Sequence, residues 1–169
     1  MSVRRSRHDF LMVAIVPATE SDVPAIHALV KALAEYERLS QEVVSTETDI
    51  RNSLFSARPH AEVILAKSDG QTVGFALFFH NYSTFLGRPG IYLEDLFVLP
   101  DFRSQGIGRE LLVALARLAV ERGCGRLEWS VLDWNEPAIG FYKRMGARVM
   151  DEWRICRLSG EALGKVAAS

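Results

Sequence analysis

Apolar and polar positions alternate or recur along this chain in a pattern that predicts ten elements. Met12 to Pro17 alternates as a short strand. Val23, Ile26, Leu29, Val30, Leu33 and Tyr36 then recur at helical spacing, so a helix is expected from a cap at Ser21 to about Leu39. Thr46 opens a second, shorter helix carrying Ile50, Leu54 and Phe55. Val63–Lys67 and Thr72–Tyr82 read as strands joined by the turn Ser68-Asp69-Gly70-Gln71, and Ile91–Val98 as a fourth strand. After Gly108, the residues Leu111, Leu112, Leu115, Leu118 and Ala119 mark a helix that stops at Gly123. Arg126–Leu132 is expected as a buried strand, Pro137 opens a short helix that Gly146 ends, and Trp153–Leu158 is expected as a last strand. The order β-α-α-β-β-β-α-β-α-β belongs to an α/β (α+β) architecture: a mixed, mostly antiparallel sheet with helices on both faces.

With 169 residues, 49% of them hydrophobic, the chain suits one domain with a substantial core. The net charge of -1 gives no reason to expect a nucleic-acid partner. No apolar run approaches the roughly 20 residues of a membrane span. Arg4, Arg5 and Arg7 followed by the apolar run Phe10–Val16 have the outline of a secretory leader, but the run is at the short limit and Asp9 interrupts the basic-to-apolar transition. The expectation is a disordered basic tail over residues 1–11 and a single domain over 12–169. Cys124 and Cys156 lie far apart without metal-ligand spacing, so free thiols in a reducing cytoplasm and no metal are expected.

The stretch Leu93 to Gly108 carries the chemistry. It reads as strand, proline, a turn with Gly106 and Gly108, then helix. A helix that starts after glycines offers unpaired N–H groups and the positive end of its dipole, which suits a phosphate. No G-x-x-x-x-G-K-[ST] run exists, which excludes a P-loop. Leu111 stands where a dinucleotide fingerprint needs its third glycine. What remains is R-x-x-G-x-G, in which Arg103 pairs with a phosphate or a nearby carboxylate, and the backbone from Ser104 to Arg109 does most of the anion binding. Downstream, Asn135 sits at a strand-to-helix turn and Tyr142 on the following helix. Asn135 is either a ligand for an extended amide or a plain cap; Tyr142 is either a phenolic acid or a core aromatic.

With both segments in view, the chain resembles the GNAT superfamily of acyl-CoA-dependent N-acetyltransferases. Leu29-Val30-Lys31-Ala32-Leu33-Ala34-Glu35-Tyr36-Glu37, Tyr92-Leu93-Glu94-Asp95-Leu96-Phe97-Val98, Trp134-Asn135-Glu136-Pro137 and Phe141-Tyr142-Lys143-Arg144 resemble the diamine branch, which acetylates spermidine, spermine or thialysine. The resemblance runs from about Ile15 to Leu158. It implies acetyl-CoA as cosubstrate, with Leu96, Phe97 and Val98 presenting strand backbone to the pantetheine arm. Arg103, Ser104, Gln105, Gly106, Ile107, Gly108 and Arg109 would hold the pyrophosphate, and Asn135, Glu136, Pro137 and Ala138 would contact the cofactor further along. Tyr142 matches the general acid, and Glu94 a carboxylate that binds the amine and helps to deprotonate it. Tyr36, Glu37, Glu128, Trp129 and Ser130 match substrate contacts. Close relatives form homodimers.

Some positions depart from that pattern. Ser104 stands where close relatives often have glycine, and Phe85 where diamine enzymes tend to have tryptophan. The identity of the amine therefore stays open.

Acetyl transfer needs a neutral amine, a polarised carbonyl and a protonated leaving thiol. An alkyl ammonium titrates near ~10, so a base such as Glu94 must first take its proton. Strand alternation puts Asp95 on the opposite face from Glu94, which keeps Asp95 out of that role. Glu35, Glu37, Glu94, Glu128 and Asp133 would favour a cationic acceptor if they surround it, with Tyr36 and Phe85 along its alkyl part; otherwise they are solvated or core residues. The main reading is a small-amine N-acetyltransferase working by direct attack in a ternary complex. The alternatives are transfer to an amino acid, an antibiotic or a protein, or a non-catalytic acyl-CoA-binding module.

Overall fold

The computed structural model describes residues 13–169, so the expected basic tail lies outside the described residues. These residues divide into two compact units, one ending at Ser130 and one starting at Val131.

The first unit holds a five-stranded sheet in sequential order: β1 (Val13–Pro17), β2 (Glu62–Ser68), β3 (Gln71–Ser83), β4 (Arg88–Val98) and β5 (Leu127–Trp129). The first four are antiparallel neighbours, and β5 runs parallel to β4. The β2–β3 turn has two successive left-handed residues, Asp69 (φ 49°) and Gly70 (φ 81°), the geometry that matches the twist of a tight hairpin.

Side chains on alternate residues of each strand reach opposite faces. Val63, Leu65, Phe75 and Phe97 pack with Ile26 and Leu29 of α1 (Val23–Tyr36) into one core. Full burial of each such side chain contributes about 1.5–3 kcal/mol. Ile64, one step out of phase with Val63 and Leu65, instead lies beside Glu110, Ala114 and Leu118 of α3 (Ile107–Glu121). Helices therefore cover both faces, as the sequence implies. The stripe Ile107, Leu111, Leu112, Leu115 and Ala119 is the buried side of α3. A short α2 (Glu47–Leu54) is capped by Thr46, whose hydroxyl accepts from the Asp49 N–H (3.2 Å).

α1 differs from the expectation at both ends. It begins at Val23 behind a turn over Glu20–Asp22, and Asp22 rather than Ser21 stands at its cap. The Asp22 carboxylate is committed to the Thr19 N–H and to Lys67 of β2, each at 2.8 Å, which ties the helix start to the sheet. The helix ends at Tyr36 rather than Leu39, because Arg38 turns left-handed (φ 61°) and the Leu39 N–H returns to the Ala34 carbonyl (2.8 Å). Tyr36 and Glu37 thus stand at the very end of the helix.

β5 is shorter and less buried than expected. Only Leu127–Trp129 are in the strand, all three half-buried, and they pair with Ile91, Tyr92 and Leu93. The pairing stops where β4 itself becomes irregular.

In the second unit, α4 (Glu136–Arg144) starts at Asn135, whose side chain accepts from the Ala138 N–H (3.4 Å), and Gly146 (φ 90°) follows its end. Trp153–Leu158 forms no strand. A strand exists only where a neighbouring edge accepts its ladder, and no pairing reaches this segment. A helix that the periodicity did not reveal, α5 (Gly160–Ala167), follows. It carries a Glu161–Lys165 ion pair one turn apart (2.7 Å).

Candidate active site

The sheet is interrupted at Glu94. Leu77 lies opposite Asp95 and Phe78 opposite Leu93, so Glu94 is the extra residue of a β-bulge. β5 pairs with β4 only as far as Leu93. From Glu94 to Val98, β4 is hydrogen-bonded to β3 alone within the sheet. This stretch includes Leu96, Phe97 and Val98, the residues expected to offer backbone to a pantetheine arm.

The bulge gathers negative charge. Glu94 is exposed and Asp95 is mostly buried. Burial, reinforced by repulsion from Glu94 and Glu37, pushes the Asp95 carboxyl up to about 7. Burial also raises Glu37 above its ordinary value. Strand alternation had set Asp95 aside; the extra residue breaks that alternation, and no local sequence signal announced the bulge. The sequence pattern therefore did not reveal that Asp95 and Glu94 share this irregular point of the strand. Glu35 and Asp133, the other candidate acidic contacts, are exposed.

After β4 the chain makes a helical turn over Pro100–Phe102 and reaches the glycine-containing segment. Ser104 (φ 61°) and Gly106 (φ 84°) are both left-handed, and Gly106 caps α3 without any side-chain capping bond. A methyl carbon added at Gly106 would meet nothing, so its requirement is conformational rather than steric. Ile107, Gly108 and Arg109 are the first three residues of α3, and their N–H groups have no carbonyl one turn back within the helix. The Gln105 amide bonds back to the Asp101 carbonyl (3.3 Å), and Arg109 pairs with Glu110 (3.1 Å). The open donors at the start of α3 are therefore main-chain N–H groups.

Arg103 does something different from its neighbours. Its Nε–H donates to the Val98 carbonyl (2.9 Å), and its guanidinium carbon lies 4.5 Å from the centre of the Tyr36 ring and 5.2 Å from that of Phe97.

The candidates on and just after β5 are already engaged. Asn81 Nδ2 donates to Glu128 Oε2 (2.9 Å), and Arg126 Nε lies 2.8 Å from the same oxygen. Ser130 is hydrogen-bonded to the Tyr92 hydroxyl (2.7 Å), and Trp129 is half-buried opposite Leu93. Phe85 is fully exposed at the tip of the β3–β4 connection. In the second unit, Asn135 is buried and caps α4, with Glu136, Pro137 and Ala138 forming the first turn of that helix. Tyr142 is half-buried on α4 with its ring 5.2 Å from that of Phe141. Cys124 and Cys156 are free thiols.

An interrupted strand edge, a carboxyl raised to about 7 beside it and a helix start bare of capping side chains all belong to the first unit. Residues 26–147 match the model of the acetyltransferase (GNAT) family, and the chain belongs to that family. It is similar to the thialysine N-epsilon-acetyltransferase of Bos taurus, with 39% identity over 92% of this chain and 97% of that protein. It is similar also to the L-ornithine N5-acetyltransferase of Arabidopsis thaliana, with 37% identity over 86% of this chain and 84% of the relative. Among solved structures, an integron cassette protein from the mobile metagenome of V. cholerae matches with a TM-score of 0.79 and 29% identity, over 93% of this chain and 98% of that one.

Proposed function

We propose that this chain moves an acetyl group from acetyl-CoA to the terminal primary amine of a small cationic substrate, by direct attack in a ternary complex. The observation that carries the reading is the acidic group Glu37, Glu94 and Asp95 at the interrupted edge of β4, directly before the anion-binding turn. The acceptor class we favour is a diamino acid of the ornithine or thialysine kind, because relatives with those names match most of this chain. Polyamines are the next candidates.

In this mechanism Glu94 binds the incoming ammonium. Asp95 takes its proton, directly or through water, since a carboxyl near neutrality is matched to that task at physiological pH. The neutral amine attacks the thioester carbonyl, a C–N bond forms, and the C–S bond breaks. Backbone at Val98 polarises the carbonyl. The departing thiolate takes a proton from the Tyr142 hydroxyl, the role that the resemblance implies, and the phenolate regains one from the cationic nitrogen of the adduct, directly or through water, leaving a neutral amide and free CoA. Ser104 to Arg109 hold the pyrophosphate through main-chain N–H groups. Asn135 to Ala138 contact the cofactor further along. No covalent enzyme intermediate is formed.

The resemblance to enzymes that pair as homodimers supports a homodimer here. The exposed apolar side chains of Trp153, Ile155 and Leu158 support it as well. A cytoplasmic setting suits the two free thiols. No helix among the described residues is long and apolar enough to cross a membrane.

The deciding experiment is a steady-state screen for CoA release from acetyl-CoA with ornithine, thialysine, lysine, spermidine and an aminoglycoside. Turnover with the diamino acids at the highest kcat/KM is expected. Turnover with none of them, alongside tight CoA binding, would instead favour a non-catalytic acyl-CoA-binding module.

A further inference from the structure

We infer that Arg103 is a positioning residue, coupling the acceptor end of α1 to the cofactor edge of β4 by stacking on Tyr36 while holding the Val98 carbonyl. This rests on the reading above, in which residues 104–109 hold the cofactor and Tyr36 and Glu37 face the amine.

The geometry commits the side chain. Arg103 has extended backbone (φ -71°, ψ 167°) between the Pro100–Phe102 turn and the left-handed Ser104. From there its side chain runs back along β4 to the Val98 carbonyl, five residues earlier. The guanidinium lies against two rings, Tyr36 and Phe97, whose centres are 6.3 Å apart and tilted by 51°. One hydrogen bond and two ring contacts fix both the position and the orientation of a planar cation. Lysine keeps the charge but has neither the planar face nor the donor at Nε. The guanidinium is thus engaged with Val98 and Tyr36, and the turn is left to bind anions with its backbone.

The consequence is a short mechanical chain. Arg103 is the residue directly before the phosphate turn, so ordering that turn around a diphosphate fixes the start of its side chain. The arginine holds Tyr36, and Tyr36 carries Glu37, the next residue at the helix end. Glu37 in turn acts on Asp95. Cofactor and amine binding become linked, and linkage of this kind is reciprocal.

The test uses the full chain with two readouts: the Kd of CoA by calorimetry, and the KM and kcat for the amine at saturating acetyl-CoA. Arg103→Lys is expected to raise the amine KM about fivefold to tenfold, the size of a partly desolvated cation–π contact, with CoA affinity within about twofold. Tyr36→Leu should do the same from the helix side, and Tyr36→Phe should recover most of that loss. The double variant R103K/Y36L should be no worse than the poorer single variant. Melting curves identify a variant that misfolds; if Arg103→Lys does, the Tyr36 pair carries the test alone. An Arg103→Lys variant that loses tenfold in CoA affinity at unchanged amine KM would overturn the inference and make the arginine a phosphate ligand. So would single effects that multiply in the double variant. A wild-type chain that neither binds CoA nor acetylates any amine removes the underlying reading instead, and the inference with it.

Discussion

Asp95 stands next to Glu94 at the point where β4 slips register against β3, and the neighbouring charge adds to burial in holding the Asp95 carboxyl protonated up to about neutral pH. A folded-state value above the unfolded one means that ionising this group costs the fold. The native chain holds the extra proton between the unfolded value near ~4 and the folded value of about 7. Stability therefore falls as pH rises through that window. Asp95→Asn removes the fall, so it should be more stable than the wild type at pH 8 by about 2–4 kcal/mol and nearly equal to it at pH 4. Urea denaturation at the two pH values measures this. A difference independent of pH would contradict the assignment.

The same variant should lose activity. General-base assistance is worth about 10²–10⁴ in rate. Asp95→Asn is expected to lower kcat/KM for the amine by about that factor at pH 7. It should also abolish a rise of kcat/KM with pH centred near 7. Glu94→Gln, which keeps the bulge but loses the exposed charge, should act mainly on the amine KM and move that inflection to lower pH without abolishing it. If Glu94→Gln rather than Asp95→Asn erased the inflection, the roles of the two carboxylates would be exchanged.

Much of the architecture was legible because it is periodic. The α3 stripe from Leu111 to Ala119 and the hairpin around Gly70 repeat at helix and turn spacing, and both fold as the spacing implies. What the pattern did not carry depends on partners distant in sequence. Glu94 becomes a bulge only because β3 sets the register on one side and β5 stops at Leu93 on the other. Without that bulge, alternation sets Asp95 on the opposite face from Glu94. Trp153–Leu158 fails for a related reason: its apolar residues suit a strand, but no sheet edge takes them up. Glu128 looks like any other acidic candidate until folding brings Asn81 and Arg126 to it.

Ser104 is held at φ 61°, a conformation that costs an L-residue about 1–2 kcal/mol and a glycine very little. Ser104→Gly should raise stability by about 1 kcal/mol, after allowing for the entropy that glycine adds to the unfolded chain. Because the turn keeps its shape, CoA affinity should stay within about twofold. Gly106→Ala is the reverse experiment. At φ 84° with open space around it, the cost is backbone strain of about 1–2 kcal/mol. Melting temperatures of the two variants should move in opposite directions; movement in the same direction would show that the turn is not held in this conformation.

Glu128 separates charge from contact. Its carboxylate is shared by Asn81 of β3 and Arg126, the residue just before β5, and the pair with Arg126 is partly exposed. Glu128→Gln keeps an acceptor for Asn81 and gives up the ion pair, so it should cost less than about 1 kcal/mol of stability. If Glu128 spends its charge on Arg126, the amine KM should change by less than about twofold, against a larger change for Glu94→Gln. A fall in amine affinity as large as that of Glu94→Gln would bring Glu128 back among the acceptor contacts.

Tyr142 tests the leaving-group step. A phenol titrates near ~10, above an alkyl thiol, so proton transfer to a free thiolate would be uphill at equilibrium. It becomes useful when the C–S bond is breaking and negative charge accumulates on sulfur. Tyr142→Phe removes only the hydroxyl and keeps the ring beside Phe141. The variant should fold with an unchanged melting temperature to within about 2 °C and bind CoA as the wild type does, while kcat falls about 10²-fold. The discriminating measurement uses a thioester whose leaving thiol is more acidic than that of CoA. Such a thiolate needs less help to depart, so the variant should recover a larger share of wild-type kcat with it. Equal losses with both thioesters would mean that Tyr142 acts on something other than the departing sulfur.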